Sequence, residues 1–338
     1  MVEADVLVVG AGAIGGGLAA RMAGGLRRLV VLDAGAEHVA RMREPGLEVD
    51  ELGTPRTVRL DAVSRPEELE GTFDLALVGV KAPHHRAALE PLVEREVAET
   101  YVSLGNGLIQ DRLAEIVGPD RLVAALVEWG GQNLGPGRIV RDTEGPVVVG
   151  ELDGEERPRT RLLAEALGLA GETRITRNAR GMIWSKLLVN SAFTGLSAVS
   201  GFRYGGVAEH PAGREAILGL WREGYDVGQA EGLELDRVFD MEPEEMLADG
   251  PHGRAHAEAA LDRSMVRWAA VLPSMLQDLQ QGRLTEVDVV NGGVAGRGRA
   301  HGVRTPLNDR VVALVHAMER DERRPEPAAL EEVAALLP

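Results

Sequence analysis

Residues 6–33 open with Val6-Leu7-Val8-Val9-Gly10-Ala11-Gly12-Ala13-Ile14-Gly15, continue through an Ala-rich stretch to Met22, and close on Leu29-Val30-Val31-Leu32-Asp33. That order predicts strand, glycine turn, helix, strand, and a carboxylate at the tip. Each part has a physical task in holding a dinucleotide. Gly10 permits the tight turn, Gly12 lets the backbone approach a pyrophosphate, and Gly15 lets the helix lie close on the strand. The amides of Ala13 and Ile14 open the helix, where unpaired N–H groups and the helix dipole favour an anion. Asp33 lies eighteen residues beyond Gly15, where a carboxylate meets ribose hydroxyls. A glycine triplet alone is a weak signal; the flanking aliphatic strands and the helix of good formers make dinucleotide binding the expectation.

Working outward, aliphatic runs recur to residue 150: Leu75–Val80, Thr100–Leu104, Leu122–Val127, and Val147–Gly150, the last expected at a sheet edge. Helical pieces separate them, at His84–Val97 and Ile109–Val117. Such alternation predicts a mostly parallel sheet with helices on both faces. Beyond about residue 158 the strand signals almost stop. Met182–Val199, Arg214–Glu231, Arg254–Gln281 and Thr285–Ala300 all read as helices. The expected organisation is a dinucleotide-binding α/β domain over 1–178, an all-helical domain over 179–324, and a tail helix over 325–338. The Glu155–Arg161 charge run reads as a solvated linker.

Composition narrows the function. The chain has 338 residues, 44% hydrophobic but only 3% aromatic, so its core is built of Ala, Leu and Val. The formal charge of −16 leaves no means of neutralising nucleic-acid phosphates. With no cysteine, disulfides, thiolate metal sites and a Cys nucleophile are excluded. The N-terminus lacks a secretory pattern, and Leu187–Gly201 is too short and polar to span a bilayer. A cytoplasmic protein acting on a small molecule, with no membrane or nucleic-acid partner, is expected. Oligomeric state is not fixed by these features, and a homodimer is compatible with them.

Several residues could carry chemistry. Lys186 and Asn190 are four apart beside Leu187-Leu188-Val189, so they share a helix face. A lysine there is either partly desolvated and suited to proton donation or a snorkelling surface residue. Thr285 and Asp288 have the spacing of a helix cap, which puts Glu286 in a first turn, where negative charge is favoured. Lys81 and Asn106 follow two strands, at the edge where open α/β sheets bind ligands. His252 and His256 are four apart, but no third ligand is evident and no metal is expected.

Together these residues resemble the ketopantoate reductase (2-dehydropantoate 2-reductase) family over nearly the whole chain. The likeness rests on Gly10-x-Gly12-x-x-Gly15, Val80-Lys81, Asn106-Gly107, Trp184-x-Lys186-x-x-x-Asn190, Ser274-Met275-Leu276-Gln277-Asp278, and Thr285-Glu286-x-Asp288-x-x-Asn291-Gly292. The resemblance implies a Rossmann-type N-terminal domain and an all-α C-terminal domain like that of 6-phosphogluconate dehydrogenase. It implies NAD(P)H-dependent reduction of a 2-oxo acid to a 2-hydroxy acid, ketopantoate to pantoate, in pantothenate biosynthesis. Lys186 then matches the general acid, and Glu286 the residue that orients it or binds a substrate hydroxyl. Asn190, Thr194, Ser274 and Asn106 fall at substrate-binding positions, and Lys81, Asn106 and Glu286 near the cofactor. Three departures stand out. Thr194 replaces a second asparagine, Val127-Glu128-Trp129-Gly130-Gly131 replaces a segment with Thr and His, and Asp33 replaces a neutral or basic group. A carboxylate at Asp33 favours a free ribose 2′-hydroxyl over a 2′-phosphate, so NADH is the modestly favoured cofactor, with Arg41 the cation that could still reach a phosphate. Trp129 and Thr194 also motivate a related dehydrogenase for a D-2-hydroxy acid or an opine-type imine. A catalytically silent nucleotide-binding protein is the third reading.

Overall fold

The computed structural model describes residues 1–238 and 241–337. Contacts divide the chain into two compact units, one of Met1–Gly105 with Ile109–Ala179, the other of Asn106–Leu108 with the chain from Arg180 onward.

The first unit is built on twelve strands: β1 (Val2–Val9), β2 (Leu26–Leu32), β3 (Leu47–Glu51), β4 (Thr54–Val58), β5 (Ala62–Val63), β6 (Phe73–Val78), β7 (Ala98–Ser103), β8 (Leu122–Val127), β9 (Gly131–Gly135), β10 (Arg138–Arg141), β11 (Val147–Gly150) and β12 (Thr173–Ile175). Eight of them form one sheet in the order β12-β11-β8-β7-β6-β1-β2-β5. Neighbouring strands are parallel except for the antiparallel pair β8–β11. Val6–Val9 in β1 pair with Leu29–Leu32 on one side and Leu75–Val78 on the other, and all four are buried. Both faces of this strand are covered, so it reads as an unbroken apolar run rather than an alternation.

Three expectations for this unit are corrected. Val147–Gly150 is second from the edge, because Thr173–Ile175 adds outside it. The Glu155–Arg161 run is no free linker: Arg159 donates to both oxygens of buried Glu151, at 2.9 and 2.6 Å, and Thr160 Oγ1 adds a third bond at 2.8 Å. A second sheet, β4-β3-β10-β9, was not foreseen. Leu52 and Gly53, both at positive φ, turn β3 into β4. The small sheet packs on the helix Ala13–Met22, where a Cβ on Gly16 would lie 3.3 Å from Ile139 Cδ1 and one on Gly17 only 3.0 Å from the Trp129 ring. Trp129 is therefore core of this unit, with Arg141 over its ring at 5.3 Å. The glycine face leaves room for the indole, and the expectation that Trp129 reshapes a substrate pocket is not supported.

The second unit is helical. A long helix runs from Ala179 to Ser200 with a π turn at Asn190–Thr194. It packs on the helix Pro211–Ala230, where Trp184 Nε1 donates to the Gly224 carbonyl at 2.9 Å. Gly228 leaves space for the same indole, since a Cβ there would lie 2.5 Å from Nε1. The expected helix over 254–281 is two helices, Arg254–Trp268 and Ser274–Gln280, because Pro273 disfavours helical geometry at the residue before it. The expected helix over 285–300 begins only at Asn291, since Val290 sits at φ −94°, ψ −90°. The helices Pro306–Glu319 and Ala328–Ala334 complete the unit, and Ala329, Leu330 and Val333 of the tail join its core. Pro338, the last residue of the expected tail, lies outside the described residues. No helix among the described residues is long and apolar enough to cross a membrane.

Candidate active site

In the first unit the candidate groups sit at the carboxyl ends of β1, β2 and β6, the edge where such sheets bind ligands. Gly10 takes φ +90°, and a Cβ there would lie 2.6 Å from Val80 Cγ1. A Cβ on Gly15 would lie 2.0 Å from the Gly10 carbonyl oxygen, so helix and strand meet as close as backbone allows. Gly12 differs: a Cβ would meet nothing within 4 Å. It ends the loop at the N-terminus of Ala13–Met22, which has neither a side-chain cap nor an acidic residue in its first turn. The start of this helix, with Ala13, Ile14 and Gly15, fits an anion.

Both peptide groups flanking Ala11 are clamped. Its N–H donates to Asp33 Oδ2 at 2.8 Å, while Asp33 Oδ1 accepts from Gly35 N–H at 2.8 Å. Its carbonyl faces His38 Nε2 at 2.8 Å, and Gly137 N–H donates to His38 Nδ1 at 2.8 Å. Because Nδ1 accepts, the proton sits on Nε2 and is donated to Ala11. Asp33 thus ends β2 tied to the glycine loop, and each oxygen keeps capacity for a further donor. These features fit a dinucleotide. Sequence reasoning missed His38, and its partner Gly137 is 99 positions away, which no local pattern reveals.

Lys81 is half-buried just beyond Val80. Buried His85 supports that turn by donating Nε2–H to the Val80 carbonyl at 3.1 Å. Burial pushes His85 down to about 4, with Arg112 and His84 adding like-charge repulsion, so the ring is neutral in this role.

The remaining candidates belong to the second unit. Asn106 falls there and not with the strands it follows: Leu108 N–H donates to the Val289 carbonyl at 2.8 Å, and Gly107, at φ +77°, approaches the same oxygen where a Cβ would stand 2.4 Å away. Lys186 is half-buried on the long helix, one turn before the π turn that holds Asn190 and Thr194. Asn190 Nδ2 is buried with no hydrogen-bond partner among the described residues. Thr194 Oγ1 is 2.7 Å from Tyr204 OH, a phenol that burial pushes up to about 12 and keeps neutral. Ser274 opens the helix Ser274–Gln280, half-buried behind Pro273. Glu286 is buried in the turns before the helix Asn291–His301, not in that helix's first turn as expected. Thr285 Oγ1 accepts from Val287 N–H at 3.1 Å, so Thr285 shapes the turn around Glu286 instead of capping with Asp288.

This set supplies an ammonium group, a carboxylate, a hydroxyl and amide donors, the groups needed to bind and protonate a carbonyl oxygen. His252 and His256 stack at 4.8 Å between ring centroids. Among the described residues no three His, Cys, Asp or Glu side chains gather as metal ligands.

Comparison with known proteins agrees with this layout. Residues 6–154 match the family model described as ketopantoate reductase PanE/ApbA, and residues 178–319 match its C-terminal counterpart. The 2-dehydropantoate 2-reductase of Halobacterium salinarum is 29% identical over 319 residues, covering 94% of this chain and 99% of that protein. That of Lactococcus lactis is 26% identical, covering 93% and 97%. Among solved structures, a PanE/ApbA family ketopantoate reductase from Ralstonia eutropha superposes with a TM-score of 0.78 at 26% identity, covering 94% and 99%. A D-mandelate dehydrogenase solved with NADH and anilino(oxo)acetate has the same TM-score and coverage at 25% identity. With both halves of the family model matched in order, the chain belongs to the ketopantoate reductase family and is an NAD(P)-dependent oxidoreductase acting on CH–OH groups.

Proposed function

We propose that this enzyme reduces a 2-oxo acid to the 2-hydroxy acid, with ketopantoate the first substrate to test and NADH the preferred cofactor. The reading rests above all on the match to 2-dehydropantoate 2-reductases over nearly the whole chain, together with the resemblance of the motifs around Lys186 and Glu286 to that family's. A bound nicotinamide supplies the hydride and the protein supplies position and charge. Lys186 donates a hydrogen bond from Nζ to the ketone oxygen and gives up that proton as alkoxide character develops, stabilising charge where it forms. Glu286, a buried carboxylate, orients the ammonium group or accepts from a substrate hydroxyl. Asn190 Nδ2 and the Ser274 hydroxyl donate to substrate oxygens. The glycine loop and the start of the helix at Ala13 take the pyrophosphate, Asp33 takes the adenosine ribose hydroxyls, and the family resemblance assigns Lys81 and Asn106 to the nicotinamide ribose.

A second reading is reduction of an aryl 2-oxo acid. It is favoured by the D-mandelate dehydrogenase likeness, by Asp33, and by Thr194, whose hydroxyl is engaged with Tyr204. Steady-state oxidation of NADH and of NADPH, each with ketopantoate, benzoylformate and short aliphatic 2-oxo acids, with and without amines, separates the possibilities. The larger kcat/KM with NADH and ketopantoate is expected. Higher kcat/KM with benzoylformate moves the second reading ahead, and binding of NADH without turnover of any acid overturns both.

A further inference from the structure

The π turn at Asn190–Thr194 leaves one backbone carbonyl in need of a partner, and a buried chain of side chains supplies it. In an α-helix the Ser191 carbonyl would accept from Gly195 N–H. Here Gly195 N–H donates to the Asn190 carbonyl, five residues back. Ser191 O instead accepts from Asn291 Nδ2 at 3.0 Å. The other Nδ2 proton of Asn291 goes to Asn308 Oδ1 at 2.9 Å. Asn308 Nδ2 donates to Glu223 Oε2 at 2.8 Å, and Glu223 also accepts from the backbone N–H groups of Leu307 and Asn308, at 2.8 and 3.0 Å. Ser191, Glu223, Asn291 and Asn308 are all buried.

The direction of this chain is set from one end. A carboxylate only accepts, so Asn308 must turn its NH2 toward Glu223 and its oxygen toward Asn291. Asn291 must then turn its NH2 toward Asn308 and Ser191. Burial pushes the Glu223 carboxyl up, and its three donors oppose that; the amides that open the helix Pro306–Glu319 also favour its charge. Gly195 completes the fit, since a Cβ there would lie 2.6 Å from Asn291 Oδ1. Were the turn to relax to an α-helix, Ser191 O would regain Gly195 N–H, and every residue after Asn190 would rotate relative to those before it. Asn190, with its orphaned Nδ2, opens that turn.

We propose that Glu223, Asn308 and Asn291 are positioning residues that hold the π turn and thereby aim the Asn190 amide at a substrate oxygen. The proposal rests on the 2-oxo acid reductase reading. Asn291→Ala is expected to raise KM for the 2-oxo acid at least tenfold while the Kd for NADH, read by fluorescence, stays within twofold. Asn190→Ala should raise KM similarly, and adding Asn291→Ala to it should cost less than twofold more, because the two act through one amide. A merely structural role would instead add in full. Glu223→Gln keeps one acceptor oxygen and should move KM in the same non-additive way by a smaller factor, which serves if Asn291→Ala does not fold. Amide hydrogen exchange of residues 191–197 should quicken in Asn291→Ala whether or not any substrate turns over. An unchanged KM in a folded variant of an active enzyme, full additivity with Asn190→Ala, or unchanged exchange overturns the proposal. An inactive wild-type enzyme with quickened exchange in the variant overturns the functional reading and leaves the held turn standing.

Discussion

Asp33 does two things with one carboxylate. It fixes the glycine loop through Ala11 N–H and, in the proposed function, receives ribose hydroxyls. A 2′-phosphate beside it would meet negative charge, so Asp33→Ser, which keeps a small acceptor for the loop, should shift preference toward NADPH. We expect the ratio of kcat/KM for NADPH over NADH to rise by about tenfold or more, or about 1.4 kcal/mol. An unchanged ratio removes Asp33 from cofactor choice. Lys186 is tested differently, because a general acid contributes to the chemical step more than to binding. Lys186→Ala should lower kcat by roughly 100-fold or more while NADH still binds with its original Kd. Loss of NADH binding without loss of kcat would assign the amine to the cofactor instead. The acid role proposed for Lys186 does not follow from spacing: beside a run of Leu and Val it is compatible with a snorkelling residue, and only the resemblance of the motif around it implies that role. The charge at the end of β2, by contrast, is readable directly, because strand, turn and helix fix where residue 33 lies.

Elements show why glycine identity matters by position. Gly12 and Gly15 belong to one motif yet have opposite surroundings. Gly12 has φ −63°, which alanine adopts freely, and open space around its Cβ position. Gly15 faces a backbone oxygen that cannot rotate away. Gly12→Ala should therefore fold, losing no more than about 1 kcal/mol because alanine is a poorer N-cap residue than glycine, and lose at least tenfold in NADH affinity. Gly15→Ala should lose about 1–3 kcal/mol of unfolding free energy as an overpacked contact, read by denaturant titration. If Gly12→Ala keeps full affinity, the open space there is not where the pyrophosphate lies. The large sheet was legible because parallel strands buried on both faces are continuous aliphatic runs. The small one was not, although Leu47-Glu48-Val49 alternates with its two apolar residues buried, because its strands are four or five residues long and mostly polar. The π turn left no local trace at all. Its hydrogen-bond register depends on Asn291, a hundred residues away, so only tertiary structure reveals it.

At the scale of the molecule, each unit carries its own hydrophobic core, and many surface charges stand in exposed ion pairs, each worth little in water. Stability toward acid then depends more on buried groups whose protonation differs between folded and unfolded chains. His85 is such a group. In the unfolded chain it takes up a proton near 6.5; in the folded chain, buried and donating to Val80, it does so only at about 4. Between those values the unfolded state binds the extra proton, so stability is full above about pH 6.5 and falls as pH drops toward 4. A gap of this size is worth about 3 kcal/mol over the window. Carboxylates titrate in the same range, so the informative quantity is a difference. His85→Gln, whose amide can still donate to Val80, removes the titrating ring and should flatten the unfolding free energy between pH 6.5 and 4.5 relative to wild type, the two curves converging toward acid. Urea titrations at half-unit pH steps measure this directly. Parallel curves would mean that His85 exchanges protons with solvent as freely folded as unfolded, and would remove the support assigned to it beneath Val80 and Lys81.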